Sequence, residues 1–296
     1  MPSPTRSPTW PMRFSTRGSA MTELFIRLMR KPQGFVGIVL LALIAAACLF
    51  GPALAPYAPE KIDFLGRFRA PGWQNWLGAD QFGRDILSRL MVGARSTVPL
   101  AFIATFVGSA AGATIGVGSA YLGGRTDEAI MRTIDAVMAI PGLLMALLLV
   151  STLGNGAGNA VIAIAVAFAP GMARVTRSAA LNVRNQDYVK AAIARGEGAP
   201  WIIFREMLPN VMAPIVIEST IRVSFAVMLF ATLSFLGVGA QPPASEWGLM
   251  VADARQHMHQ APWGLIAPSA AIALTAIAFN LVGDGLRDAL NPKDER

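Results

Sequence analysis

"YVKAAIARGEGAPWIIFREMLPN", residues 188–210, organises the reading of everything around it. It carries Lys190, Arg195, Glu197, Arg205 and Glu206 inside a chain of 296 residues that is 54% hydrophobic and only 15% charged. Helix formers run from Tyr188 to Arg195, and Gly196 and Gly198 then break or bend the helix. Pro200 suits the first turn of a new helix, so residues 201–207 are expected to form a second short helix ended by Leu208 and Pro209. A charged, broken helix pair in so apolar a chain reads as a segment held outside the bilayer between two spans. Its small exposed alanines suit insertion into a groove on a soluble partner, although a helix lying on lipid headgroups has a similar pattern.

Both sides of this segment are membrane sequence. The mean hydropathy is +0.49. A hydrocarbon core takes about 20 residues of helix to cross, and charge-free runs of at least that order lie at 34–59, 96–124, 136–173, 223–245 and 261–283. The third is nearly twice the needed length and contains "GNGAGN", 154–159, a turn-forming cluster that would leave backbone amides unsatisfied in lipid. It therefore counts as two spans. The next begins near Val211, because residues 211–239 read as one apolar helix carrying Glu218 and Arg222. The fold class expected is an all-α integral membrane protein with six transmembrane helices.

Lys and Arg collect on cytoplasmic loops. With the N-terminus inside, the outer segments receive Lys61, Arg67, Arg69, Arg84, Arg89, Arg95 and Arg255, a minority of the 25 basic residues, so both termini are expected in the cytoplasm. The organisation that follows is a cytoplasmic tail at 1–33, a first transmembrane helix at 34–56 and an extracytoplasmic segment at 57–95. A five-helix core at 96–286 contains the cytoplasmic loop 174–209, and a cytoplasmic tail fills 287–296. This distribution explains the net charge of +7 without nucleic acid, and the basic residues are not interleaved with an aromatic binding surface. The basic start and "PALAPYA", 52–58, resemble a signal peptide only superficially, since the apolar part begins late and runs long. It is read as an uncleaved first helix behind a disordered tail.

The search for chemistry returns mostly negatives. There is no G-x-x-x-x-G-K-[ST] phosphate loop, H-E-x-x-H, C-x-x-C or G-x-S-x-G, so the chain is not expected to be an enzyme or to hydrolyse ATP itself. Gly108, Gly112 and Gly116 recur every four residues inside a span, which places them on one helix face for close packing rather than around a nucleotide. Cys48, the single cysteine, reads as a small apolar residue within the first span. His257 and His259, with Asp253 as a third group nearby, lack the further ligands a metal site wants and read as a solvated loop or interfacial helix, with metal contact as the alternative. Glu218 and Arg222 sit side by side at i, i+4. Each costs on the order of 2.5–3.5 kcal/mol in mid-bilayer if uncompensated. Either they neutralise each other, or they line a polar passage between helices.

The arrangement K-A-A-x-x-x-G followed by L-P, made of Lys190, Ala191, Ala192, Gly196, Leu208 and Pro209, resembles the EAA loop of binding-protein-dependent ABC importer permeases. The likeness extends to "WLGADQFGRDILSRLMVGAR" at 76–95, "YLGGRTDEAIMRTIDAVMAIPGLLMAL" at 121–147, "LSFLGVGAQPPASEWG" at 233–248 and "AFNLVGDGLRDALNPK" at 278–293. These are similar to the C-type subunit of the dipeptide and oligopeptide branch. The resemblance implies a type I importer permease in the bacterial plasma membrane. Its partners would be a homologous B-type permease, two cytoplasmic ATPases and an extracytoplasmic solute-binding protein. It also implies that Lys190, Ala191, Ala192, Arg195, Gly196, Leu208 and Pro209 belong to the coupling element; Glu218 and Arg222 remain candidates for the pathway on their own charges, and no metal site is expected. No cofactor is implied for this chain, ATP and magnesium being bound by the ATPases. Three positions depart from the pattern: Lys190 stands where the motif has Glu, Glu206 where the wider family usually has Ile, and Ala79 where the branch has Thr. The dipeptide and oligopeptide reading leaves glutathione, nickel chelates and opine or sugar compounds open as cargo. The strongest competing class is an ion-gradient-driven carrier, which would need midplane carboxylates or broken helices, and a receptor-like or scaffold membrane protein is a third.

Overall fold

In the computed structural model, residues 28, 29 and 31–290 are described; most of the two expected tails, including Arg6, Arg13, Arg17, Lys293 and Arg296, lies outside them. The described chain runs through helices α1 (Pro32–Leu54), α2 (Ile86–Leu122), α3 (Gly124–Met138), α4 (Gly142–Leu153) and α5 (Ala157–Arg184). It continues through α6 (Asp187–Ala194), α7 (Ala199–Phe235), α8 (Trp247–Ala254) and α9 (Trp263–Ala289).

The central contact of the bundle follows from the glycine spacing. A Cβ added at Gly108, Gly112 or Gly116 would collide with the carbonyl oxygens of Ala165, Ala169 and Ala173 in turn. The helices α2 and α5 thus meet backbone to backbone along one face, which only residues without side chains permit. Around this pair, Ala101, Ala104, Ala146, Val150, Ala160, Ile164, Val227 and Phe230 form one buried cluster shared by α2, α4, α5 and α7. The first helix packs against α9 through Gly37, where a Cβ would meet Leu281 and Val282, and against α2 through Gly51 and Cys48. The Cys48 thiol donates to the Ala94 carbonyl at 3.2 Å, so it serves as a small contact residue between helices.

Five of the helices, α1, α2, α5, α7 and α9, are long and apolar enough to cross a membrane. The expected six are reached only if α3 and α4 are taken as one span bent by 87°. The reason lies at Ala139–Pro141: the residue before a proline is driven out of the helical region, and the chain turns sharply there. The 12 residues of α4 reach about 18 Å at 1.5 Å per residue, short of a full hydrocarbon core. The turn expected at "GNGAGN" is present, with Gly154 and Gly156 at φ of 95° and 139° and the Asn159 amide donating to the carbonyls of Leu153 and Gly154. The helix α2 begins at Ile86, well before the charge-free run at Ser96, because Asp85 caps it through the Ser88 amide at 2.8 Å.

Candidate functional site

The helix α6 stands at the end of the bundle formed by the last turns of α2. Its Val189 and Ala192 are fully buried, in a cluster with Ala113, Val117 and Ala120 of α2, Met172 and Ala180 of α5, and Ile202, Met207, Val211 and Ile215 of α7. The opposite face of α6 is open: Lys190, Ala191, Ile193 and Arg195 are exposed. A two-residue apolar anchor beneath a small, solvated surface is what an i, i+3 pair on an eight-residue helix provides.

Gly196 ends α6. The Glu197 amide donates to the Ala192 carbonyl at 3.2 Å and the Gly196 amide to the Ile193 carbonyl at 2.9 Å. With Gly196 at φ +77°, this is a Schellman close. A Cβ on Gly196 would meet no atom within 4 Å, so the site needs glycine for its left-handed backbone and not for space. Beyond the turn, Arg195 pairs with Glu197 at 2.7 Å, and Lys190 reaches Asp187 at 3.5 Å with both side chains in solvent.

The expectation that Leu208 and Pro209 end a second short helix is overturned. Helical backbone starts at Ala199, with Pro200 in its first turn, and runs on to Phe235. Pro209 lacks an N–H and its ring crowds the carbonyl four residues back. The helix absorbs this by widening into a π turn at Ile202–Met207 and tightening into a 3-10 turn at Leu208–Val211. Leu208 is half-buried and Pro209 exposed, so the coupling residues expected from sequence lie on two elements joined by the Gly196 turn. One of those elements continues without a break into the bundle.

Glu218 and Arg222 pair at 2.8 Å on α7, both partly exposed. Arg222 also donates to the Phe168 carbonyl of α5 at 3.4 Å and lies against Gly171, where a Cβ would meet its guanidinium. The pair is thus a bridge from α7 to the middle of α5.

The family described as "Binding-protein-dependent transport system inner membrane component" matches residues 108–295. The chain belongs to this family of permeases. A second match, the N-terminal transmembrane domain of oligopeptide transport permease C, covers residues 19–71 of the permease. It is similar to the "Dipeptide transport system permease protein DppC" of Alkalihalophilus pseudofirmus, with 37% identity over 94% of this chain and 91% of that one. The protein of the same name from Haemophilus influenzae is 37% identical over 96% of this chain and 98% of its own. The "Glutathione transport system permease protein GsiD" of Escherichia coli is 39% identical over 92% and 90%. Among solved structures, a chain of the MetNI methionine ABC transporter in an inward-facing conformation superposes with a TM-score of 0.56 at 18% identity. That superposition covers 69% of this chain and 97% of the other, and shows the shared fold. The permease is a multi-pass protein of the bacterial inner membrane.

Sequence reasoning missed the opposite end of the permease. There, Asp80 accepts from Arg84 and from Arg89, each at 2.7 Å, and Asp253 lies 3.4 Å from Arg84. Arg89 is almost fully buried. Glu246 is fully buried, accepting from the Leu249 amide at 2.9 Å and from the Thr97 hydroxyl at 3.1 Å, and so caps α8. His257 packs its ring against Phe68 at 5.1 Å. The intervals Asp80 to Arg84 and Arg84 to Arg89 were visible in "ADQFGRDILSR", but the partner Asp253 is 169 residues away from Arg84 and no local pattern announces it.

Proposed function

We propose that this permease supplies half of the translocation pathway of an ATP-driven importer for short peptides or related small solutes. It pairs with a homologous permease, accepts solute from an extracytoplasmic binding protein and is moved by two cytoplasmic ATPases, which bind the ATP and magnesium. Both termini and α6 then lie in the cytoplasm. The observation that carries this reading is the build of α6: an exposed face formed by Lys190, Ala191, Ile193 and Arg195 rests on Val189 and Ala192, which are buried among α2, α5 and α7. A push on that face reaches three helices at once, directly and through the uninterrupted α7. The dipeptide and glutathione relatives support a peptide-sized cargo.

The test is reconstitution with its partner permease, ATPases and binding protein in proteoliposomes. Import should require ATP and ignore an uncoupler. Import that persists without the ATPases and collapses with the uncoupler would instead establish an ion-driven carrier. Within the assembly, Gly196→Trp should leave the permease inserted while its ATPases fail to copurify. Any side chain at φ +77° strains the turn by roughly 1–2 kcal/mol, and indole bulk there projects onto the docking face. Wild-type copurification and uptake in this variant would remove Gly196 from the coupling element.

A further inference from the structure

The coupling reading gives the amphipathic α3 no place in the mechanism, and its contacts supply one. Two carboxylates on α3 reach two arginines one turn apart on α5. Asp127 takes both arms of Arg177, from Nε at 2.6 Å and Nη2 at 2.5 Å, and also accepts from the Ser119 hydroxyl of α2. Asp135 accepts from Arg174. Asp127 is buried, whereas the Asp135 pair is half open to solvent. A bidentate guanidinium fixes distance and orientation together, and a second attachment eight residues along α3 removes the remaining freedom to pivot.

Both attachment points sit on the C-terminal side of a proline within the continuous helix α5. Within α5, Pro170 deprives the ladder of one N–H and marks a place to bend. The part before it, with Ala160, Ala163 and Ile164, packs against Ala146 and Val150 of α4. The part after it holds Arg174 and Arg177, shares the α6 seat through Met172 and Ala180, and leads directly into α6. The bent pair α3–α4 therefore spans the proline: α3 is fastened below it and α4 packs above it, with the 87° corner between them.

We propose that α3 is a lever that carries movement of α6 past Pro170 to α4, and that Asp127 and Arg177 are the positioning residues that make it follow. This deepens the coupling reading above and rests on it. Without the clasp, bending of α5 at Pro170 moves α6 and the lower half of α5 but leaves α4 behind, so nucleotide turnover proceeds while the pathway moves incompletely.

The experiment uses the reconstituted complex with four versions of this chain: wild type, Asp127→Asn, Arg177→Asp and the reversed pair Asp127→Arg with Arg177→Asp. Arg132→Gln, which breaks the exposed Glu128–Arg132 pair on the outer side of α3, is the control for general damage to the helix. ATPase copurification, hydrolysis rate and solute imported per ATP are measured for each. For Asp127→Asn and Arg177→Asp, assembly and hydrolysis should stay near wild type while solute per ATP falls about fivefold or more, the lower range of coupling between sites. The reversed pair should recover part of that loss, and Arg132→Gln should match wild type. Parallel loss of hydrolysis and import, or an unchanged ratio in both single variants, would overturn the lever. If the wild-type complex itself fails to import in an ATP-dependent way, the coupling reading falls and the lever with it; loss confined to the variants separates the two.

Discussion

Glu246 is a fully buried carboxyl group. Burial pushes its pKa up, opposed by the amides of Gly248 and Leu249 and by the hydroxyls of Ser234 and Thr97. A raised folded-state value means that the folded protein holds the proton more tightly than the unfolded chain. The resulting stability is present at low pH and is lost as pH rises from the ordinary Glu range through the folded value. Glu246→Gln keeps an acceptor for the Leu249 amide without the charge, so its thermal midpoint should gain on wild type as pH rises across that window; a gap independent of pH would contradict this. The Glu218–Arg222 pair makes a second residue-scale prediction. Removing one partner strands a partly buried charge, whereas removing both does not, so Glu218→Ala should lower the melting temperature in detergent more than Glu218→Ala with Arg222→Ala. Import lost equally in the single and double variants, with folding intact, would give the pair a role in the passage instead.

At the scale of elements, the α2–α5 contact sets the tolerance of each glycine. Gly112→Leu drives a side chain into the Ala169 carbonyl and Met172, and overpacking of this kind costs about 1–3 kcal/mol or more. Gly118, on the same helix, faces open space and should accept leucine. Fluorescence-detected size exclusion should show aggregated material for the first and a monodisperse peak for the second. The stripe was legible in the sequence because its four-residue period is a local property of one helix. The end of α6 was legible for the same reason, since Gly196 acts within one turn. The course of the chain past Leu208 was not: a proline reads locally as a stop, while two adjoining turns of altered pitch carry the helix through it. The tie of α3 to α5 was equally hidden, because Asp127 and Arg177 are 50 residues apart and an acidic residue on an amphipathic helix looks like a solvated one.

At the scale of the whole molecule, the sidedness drawn from Lys and Arg can be checked on the chain itself, because Cys48 is its single cysteine. In a Cys48→Ala background, Trp73→Cys occupies a nearly fully exposed position in the segment before α2. It should react with an impermeant maleimide in intact cells. Arg195→Cys, at the end of α6, should react only after the inner membrane is opened. The reverse pattern would invert the molecule and place α6 out of reach of any ATPase.

The stepped contact between α2 and α5 has one further consequence. Gly108, Gly112 and Gly116 meet Ala165, Ala169 and Ala173 at equal intervals, so the two helices resemble ladders whose rungs are interchangeable. Sliding α5 by one rung, about 6 Å along its axis, would still match two of the three rungs. These small-residue rungs alone leave the register degenerate, and features that occur once distinguish the observed alignment: the bidentate Asp127–Arg177 clasp, and Arg222 lodged against Gly171. The few charges retained within this bundle thus act as index pins, marking one alignment among those the glycine–alanine rungs by themselves would accept.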